Sequence, residues 1–191
     1  MEITEKKIAL IKEDPQFFGI IYETYIDEIY RYAFYLAGEK HKAEDVTSMA
    51  FMRALEKFHS FSGNQKKLRA WLYRITRNIF IDEVRKKKNQ VLRIHEDYEP
   101  EDHENFALEE EKSLLVEELV KFITNLEPPI YAEILLMRYK QDLEITEIAE
   151  ILEKTEQNVR TIIHRATKKL HEIYEMTANL SVAVDTEEVI L

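Results

Sequence analysis

The chain has 191 residues, with 37 acidic against 27 basic side chains and a formal net charge of −10. It contains no Cys, three Gly and four Pro, which excludes disulfides and thiolate metal sites and favours helices over strands. No apolar run approaches the roughly 18 residues that would cross a bilayer, and the charged N-terminus is unlike a signal peptide. We therefore expect a cytoplasmic protein without direct membrane insertion.

Charge is unevenly distributed along the chain. Residues 1–90 hold 17 basic and 13 acidic side chains, residues 91–112 hold 2 and 9, and residues 113–191 hold 8 and 15. The acidic middle segment has few apolar residues, as linkers do. We predict an all-α fold of two small helical domains. Their predicted arrangement is a first domain at 1–90, a flexible acidic linker at 91–112, a second domain at 113–176 and a C-terminal tail at 177–191.

Two amphipathic helices are predicted in the first domain. Pro15 favours a helix start, and the apolar pattern predicts a helix over residues 16–37 that ends at Gly38. A second helix is predicted over residues 42–58. Three of its apolar side chains fall partly outside the core-facing side: Met49, Phe51 and Met52. Apolar residues in such positions are typical either of further core packing or of a partner surface.

The basic stretch from Lys66 to Lys88 follows a turn-rich loop and holds nine Lys or Arg against two acids. Leu68, Leu72, Ile75 and Ile79 recur at helical spacing and predict a buried side. The opposite side carries these residues: Lys67, Arg74, Arg77, Asn78, Arg85 and Lys88. Trp71 lies at the border between the two sides. A basic face edged by an aromatic ring favours a nucleic acid with unpaired bases, and a merely solvated helix face is the alternative.

Three segments of this first domain carry a family resemblance: IYRYAFYLAG, AEDVTSMAFMRAL and AWLYRITRNIFIDEVRKK. They resemble conserved region 2 of the sigma-70 family, in particular the small extracytoplasmic-function (ECF) sigma factors. The resemblance implies that the second helix docks on the clamp helices of the RNA polymerase β′ subunit. It also implies that the loop and the basic helix capture bases of the −10 promoter element, at the few kcal/mol that base flipping costs.

The resemblance assigns residues to two surfaces. The first, called the polymerase face below, comprises Asp45, Met49, Phe51, Met52 and Arg53. The second has two parts that would bind the −10 element. One is the base-reading loop, which comprises Ser62, Gly63, Asn64 and Gln65. The other is the −10 face of the basic helix, which comprises Trp71, Arg74, Arg77, Asn78 and Arg85. The chain departs from the family at Ser48 and Met49, where Gln-Glu is common.

A helix-turn-helix is predicted in the second domain. A helix over residues 108–125 leads to Pro128 and Pro129, which suit the start of the next helix. Ile145, Ile148, Ala149 and Leu152 then predict a short amphipathic helix. Residues 153–155 form a tight turn, in which Thr155 is a good N-cap for a following helix. Two short helices joined in this way place the second helix in the major groove of DNA.

The second helix of this pair has separate core and polar sides. Its core side comprises Val159, Ile163, Ala166, Leu170 and Ile173. Its polar side, called the recognition face below, comprises Gln157, Arg160, Thr161, His164, Arg165 and Lys168. Gln and Arg can read base edges, whereas Thr, His and Lys suit phosphates or single contacts. A helical bundle with a polar exterior is the alternative interpretation.

The segments EIAEIL, NVR and HRATKKL resemble sigma region 4. The resemblance implies binding to the −35 promoter element and to the polymerase β flap. Three residues depart from the family: Glu153 stands where Gly is usual, Glu144 where Ser or Thr is usual, and Ile162 where Arg is frequent. We therefore expect altered or weaker −35 recognition in an intact fold, with a turn conformation at Glu153 that Gly would adopt more easily.

The sequence shows no pattern typical of a catalytic, phosphate-binding or metal site. The six His show no metal-ligand spacing, and there is no Gly-rich phosphate loop or nucleophile elbow. We predict no enzyme activity, cofactor, metal or small-molecule substrate. The resemblance implies core RNA polymerase, promoter DNA and an anti-sigma factor as partners in a bacterial cytoplasm. Two alternatives stay open: a polymerase-independent helix-turn-helix regulator, and a helical partner-binding protein that has lost DNA binding.

Overall fold

The computed structural model describes residues 3–91, 123 and 126–187, with side chains described at 3–86, 123 and 126–175. Every regular element in these ranges is a helix, which confirms the all-α prediction. Contacts divide the chain into an N-terminal and a C-terminal compact unit. The predicted linker and the predicted helix at 108–125 lie almost entirely outside the described residues, so the exact domain boundaries stay a prediction. Within the described ranges, no helix has both the length and the hydrophobicity needed to cross a membrane.

In the described part of the N-terminal unit, residues 3–91 form four α-helices. They are α1 at Glu5–Glu13, α2 at Gly19–Ala37, α3 at Lys40–Lys57 and α4 at Gln65–Val91. One 3-10 turn at Pro15–Phe18 precedes α2, and another at Phe58–Ser60 follows α3. The three predicted helices of this unit are thus confirmed, with the difference that the first begins as a 3-10 turn.

Local signals set the ends of α2. The Asp14 Oδ1 atom accepts a hydrogen bond from the Gln16 N–H at 3.0 Å, and Pro15 occupies the start of the 3-10 turn. At the other end Gly38 adopts a left-handed conformation with φ of 68°. Its N–H donates to the Phe34 carbonyl at 2.8 Å, which closes the helix. Gly38 is therefore the terminator that the sequence predicts.

Helix α1 is not predicted by the sequence pattern. Thr4 caps it by accepting a hydrogen bond from the Lys7 N–H at 3.4 Å. Ile3, Ile8 and Ile11 are buried, so the charged segment carries a narrow apolar side. Nine residues are too few for a stable isolated helix. Packing against the rest of the unit therefore stabilises α1, and this packing is not visible in the sequence.

Small side chains lie where α2, α3 and α4 pack together. Ala33 of α2 and Ala43 and Ala50 of α3 are at most 2% exposed and form one cluster with Val46 and Ile79. Methyl groups at these contacts let the three helices approach closely. The cluster fixes α3 and α4 against α2, and it thereby positions the outward side chains of both helices.

The C-terminal unit follows its predicted plan but has a longer last helix. Its elements are α5 at Pro129–Leu135, a π-helical segment at Leu136–Lys140, α6 at Ile145–Leu152 and α7 at Glu156–Glu187. Pro128 is the N-cap of α5, as expected. Because neither Gly nor Pro follows Pro129, no local signal ends α7 early. Residues 177–187 of the predicted tail therefore continue α7, and residues 188–191 lie outside the described ones.

Candidate nucleic-acid interface

The base-reading loop has a backbone shape that depends on Gly63 and Asn64. The Asn64 Oδ1 atom accepts a hydrogen bond from the Lys67 N–H at 3.1 Å and so caps α4. Gly63 has φ of 154°, and a Cβ atom built there would lie 2.7 Å from the Lys67 Cβ. A side chain at this position would collide with the first turn of α4. The loop therefore presents Ser62 and Asn64, both exposed, in one fixed arrangement.

Trp71 packs on an aromatic cluster beneath this loop. Its ring centroid lies 5.1 Å from that of Phe61 and 6.2 Å from that of Phe58. Both Phe rings are buried, and Trp71 is only partly exposed. Aromatic pairs at these distances are worth about 0.5–1.5 kcal/mol beyond their burial. The predicted border position of Trp71 is thus confirmed: one part of the indole is held by the core and another part faces outward.

A partly buried hydrogen-bond network attaches the start of α4 to α2. Glu28 Oε1 accepts hydrogen bonds from Arg69 Nε at 2.6 Å and from the Tyr73 hydroxyl at 2.9 Å. Burial, followed by the adjacent Glu28 carboxylate, raises the pKa of Tyr73 far above its usual value of 10.0. Tyr73 is therefore a neutral donor. The sequence pattern did not reveal this network, because Tyr73 lies outside the leucine and isoleucine stripe of α4.

The outward side of α4 carries the remaining residues of the −10 face. Arg74 and Arg77 are partly exposed, while Asn78 and Arg85 are exposed. Of the four residues on the predicted buried side, Leu68, Leu72 and Ile79 are buried. The fourth, Ile75, is partly exposed. Guanidinium groups along one side of a helix suit the phosphates of a DNA backbone.

Four of the five residues in the polymerase face are exposed. Met52 is 64% exposed and Met49 is 36% exposed, and Asp45 and Arg53 are also exposed. Phe51 is different, because it is only 5% exposed. The expectation that Phe51 lies partly outside the core-facing side of its helix is therefore wrong.

Phe51 is buried because an aromatic ring on α2 covers it. The ring centroids of Tyr22 and Phe51 lie 4.9 Å apart, and the two rings meet edge to face. The sequence alone does not show that Tyr22 stands opposite Phe51. Phe51 therefore supports the polymerase face from beneath, and its ring is not available as a free contact.

A groove of about 260 Å³ runs between α3 and α4. Met49, Met52 and Ile75 contribute apolar lining, and charged side chains of both signs surround it. Asn78 also lines this groove, so the structure brings it next to the methionines of the polymerase face. The polymerase face and the −10 face, which the family resemblance assigns separately, therefore meet at Asn78.

The predicted turn between α6 and α7 is present. Thr155 Oγ1 accepts a hydrogen bond from the Asn158 N–H at 3.2 Å, which confirms Thr155 as the N-cap of α7. Glu153 adopts φ of 52°, the left-handed conformation expected where Gly is usual. The Lys154 N–H donates to the Ala149 carbonyl at 2.9 Å and closes the end of α6.

The start of α6 explains how the chain tolerates Glu144 at its N-cap. The Glu144 N–H donates to the Glu147 Oε2 atom at 2.8 Å. This bond is one half of a capping box, the half that a Glu at the third helical position provides. Glu147 is only 5% exposed, so its carboxylate is held in place. Glu144 in place of Ser or Thr therefore removes only the other hydrogen bond of the capping box, in which an N-cap hydroxyl accepts from the N–H of the third helical residue.

The recognition face is open along the first turns of α7. Its exposed members are Gln157, Arg160, His164, Arg165 and Lys168, and Thr161 is partly exposed. The Thr161 hydroxyl donates to the Gln157 carbonyl at 2.9 Å. Glu156 accepts from Arg160 at 3.4 Å, an exposed pair that DNA phosphates could replace. Val159 and Ala166 are fully buried, which confirms two members of the predicted core side.

Ile162, which stands where Arg is frequent in the family, is partly buried. Over the described residues, no group of three or more His, Asp or Glu side chains could hold a metal ion. The candidate sites of the described chain are thus surfaces on two helical units, with cationic and polar side chains outward.

Comparison with known proteins identifies the family. A family model for sigma-70 region 2 matches residues 21–90, and one for sigma-70 region 4 matches residues 128–170. SigM of Bacillus subtilis (strain 168), an ECF RNA polymerase sigma factor, is 30% identical over 159 residues, which cover 83% of this chain and 96% of SigM. SigW of the same organism, also an ECF sigma factor, is 32% identical over 177 residues, which cover 87% of this chain and 94% of SigW.

The fold is also that of a solved sigma factor. RpoE from Bartonella quintana, crystallised with the anti-sigma factor NepR, superposes with a TM-score of 0.69 over 83% of this chain and 96% of RpoE, at 22% identity. Regions 2 and 4 match in the order that the sequence motifs predict, and SigM and SigW are 30% and 32% identical to this chain over at least 94% of their own length. The chain belongs to the ECF RNA polymerase sigma factors.

Proposed function

We propose that this sigma factor binds core RNA polymerase through the polymerase face of α3 and reads a promoter with both of its units. In the N-terminal unit, the base-reading loop and Trp71 capture bases of the −10 element, and Arg74, Arg77 and Arg85 hold the DNA backbone. In the C-terminal unit, the recognition face of α7 binds the −35 element. The chain acts in the bacterial cytoplasm, and no chemical step is assigned to it.

One observation carries the −10 assignment. Trp71 packs against Phe58 and Phe61 and is itself partly exposed. Phe61 leads directly into a loop whose shape depends on Gly63 and Asn64. A partly exposed aromatic ring beside a tight loop is an arrangement that can hold an unstacked base. The cationic side chains that follow along α4 supply the phosphate contacts that such capture needs.

An anti-sigma factor is the proposed regulator. RpoE, which shares this fold, was solved in complex with the anti-sigma factor NepR. In this chain the exposed methionines of the polymerase face and the adjoining groove offer apolar area to a partner. An anti-sigma factor that covers Met49 and Met52 would exclude core polymerase from the same surface.

Transcription by purified components tests the proposal. Bacterial core polymerase is incubated with a library of promoter fragments, with and without the full-length protein, and run-off transcripts are sequenced. We expect transcripts that depend on the protein and share upstream and −10 motifs. No stable complex with core, or transcription unchanged by the protein, would contradict the proposal. The alternative of a polymerase-independent regulator loses its support, because region 2 matches as well as region 4.

A further inference from the structure

A line of aromatic contacts connects the base-reading loop to the N-terminal segment of the chain. Phe61, directly before the loop, stacks on Phe58 with centroids 5.7 Å apart. Phe58 in turn meets the edge of Phe18 at 5.6 Å. Phe18 is the last residue of the 3-10 turn that follows α1. All three rings are at most 7% exposed, so each ring is positioned by its neighbours.

Trp71 stands at the outer end of this line. It touches both Phe58 and Phe61 but is itself partly exposed. The orientation of the indole is therefore set by the two buried rings beneath it. A shift of Phe58 would move the support of Trp71 and the entry to the loop at the same time.

Helix α1 supports the inner end of the line. Ile11, which is 2% exposed, lines a cavity of about 180 Å³ together with Phe18, Leu55 and Phe58. Truncating Ile11 to Ala would enlarge this cavity beside Phe18 and Phe58 and let the two rings move. The region 2 match begins at residue 21, so α1 and the 3-10 turn precede it.

We propose that α1 and the 3-10 turn after it position the −10 reader, with Ile11 and Phe18 as positioning residues for the base-reading loop and Trp71. The inference rests on the proposed function of this loop and of Trp71. Neither Ile11 nor Phe18 touches DNA in this proposal; both act through Phe58. Base capture depends on the shape of the pocket, so loss of this support slows promoter opening without removing any DNA contact.

The single Trp of the chain gives a direct measurement in the free, full-length protein. Ile11→Ala and Phe18→Leu are compared with Ile8→Ala, a buried residue of the same helix that does not line the cavity. We expect the emission maximum and the quenching of Trp71 by iodide to change in the first two variants only. Circular dichroism verifies that helicity is retained, and Phe18→Leu serves as the milder change if Ile11→Ala unfolds.

Promoter opening is then measured with holoenzyme on a duplex that wild-type holoenzyme has selected from a random library, carrying a fluorescent base in its −10 element. Loss of one aromatic pair predicts opening about two- to tenfold slower for Phe18→Leu. A similar loss is expected for Ile11→Ala, and Ile11→Val should restore the wild-type rate. Affinity for core polymerase should be unchanged in every variant.

The outcomes separate the two proposals. If Ile8→Ala alters Trp71 emission and opening as strongly as Ile11→Ala, or if neither Ile11→Ala nor Phe18→Leu changes them, the positioning role is overturned. If wild-type holoenzyme selects no promoter, the proposed function fails, while the emission measurements on the free protein still decide whether α1 controls the environment of Trp71.

Discussion

Gly63 is the residue on which the shape of the base-reading loop depends most directly. Its φ of 154° and the 2.7 Å distance from a built Cβ to the Lys67 Cβ leave no room for a side chain. A substitution must therefore move the first turn of α4 or change the loop backbone. Either change would also disturb the Asn64 cap, which accepts the Lys67 N–H.

We expect Gly63→Ala to destabilise the N-terminal unit by about 1–3 kcal/mol and to slow promoter opening. Ser62→Ala, an exposed position in the same loop, is the matched control for stability and should leave the unfolding midpoint nearly unchanged. Urea unfolding followed by Trp71 fluorescence measures the first effect. Equal midpoints for the two variants would show that the loop backbone is not strained by a side chain at residue 63.

Tyr73 should make the N-terminal unit less stable at alkaline pH. Burial and the Glu28 carboxylate raise its pKa above the usual 10.0, so the folded state favours the neutral phenol. The stabilisation is fully present below about pH 10 and is lost as the pH rises beyond the pKa of the unfolded chain. Tyr30 and Tyr35 have pKa values raised by burial in the same direction.

Tyr73→Phe should therefore lower the free energy of unfolding at neutral pH by about 1 kcal/mol, because one hydrogen bond to Glu28 is lost. It should also reduce the loss of stability between about pH 9 and pH 11, since Tyr73 no longer ionises. Tyr30 and Tyr35 are present in both proteins, so the difference isolates Tyr73. Parallel stability profiles across this range would contradict the assignment.

Among the elements, the turn before α7 carries a strain that the sequence alone predicts. Glu153 adopts the left-handed conformation at φ of 52° that its place in the family motif requires. A non-Gly residue in this conformation costs about 1 kcal/mol relative to Gly. The helix-turn-helix is nevertheless formed, because hydrogen bonds cap both helix ends at the turn. The Lys154 N–H donates to the Ala149 carbonyl at the end of α6, and Thr155 Oγ1 accepts from the Asn158 N–H at the start of α7.

Replacing Glu153 by Gly should raise the free energy of unfolding of the C-terminal unit by roughly 0.5–1 kcal/mol. Glu150→Gly is a matched control with the opposite sign, because the same replacement within α6 costs about 1 kcal/mol of helix stability. Thermal unfolding of both variants, followed by circular dichroism, compares them with the wild type. A lower melting temperature for Glu153→Gly would refute strain at this turn.

Sequence reasoning succeeds in this chain where a local signal fixes an element. Gly38, Thr155 and Pro128 mark helix ends because capping and terminating chemistry acts within a few residues. It fails where contacts with residues distant in sequence determine whether a side chain is buried or a helix forms. Phe51 is buried because Tyr22 covers it, and α1 forms because its isoleucines pack on other elements; neither fact has a local signature. The predicted tail from residue 177 is likewise wrong in part, because α7 continues to Glu187.

For the whole molecule, separate surfaces predict separable defects. Met52 is 64% exposed at the groove between α3 and α4, whereas Arg160 is exposed on α7 in the other unit. The proposed function assigns core binding to the first residue and upstream DNA to the second. Because the two residues are in different compact units, their effects should be independent.

Met52→Asp should weaken binding to core polymerase at least tenfold, since it adds a charge to an apolar contact. Arg160→Ala should preserve core binding and reduce the affinity of holoenzyme for the upstream element by about 1–3 kcal/mol. Affinity for labelled core and footprints on a selected promoter measure the two effects. A normal upstream footprint for Arg160→Ala, or normal core binding for Met52→Asp, would contradict the division of labour.

The three buried alanines between α2, α3 and α4 have a consequence for how this protein could diverge from its relatives. Ala43 and Ala50 lie on the inner side of α3, while Met49 and Met52 lie on its outer side. The bulk of the inner residues sets the spacing between α3 and its neighbours. Mutations that no partner ever touches can therefore widen or narrow the groove. Among related sigma factors, we expect partner preference to vary with the size of these buried residues as well as with the exposed side chains.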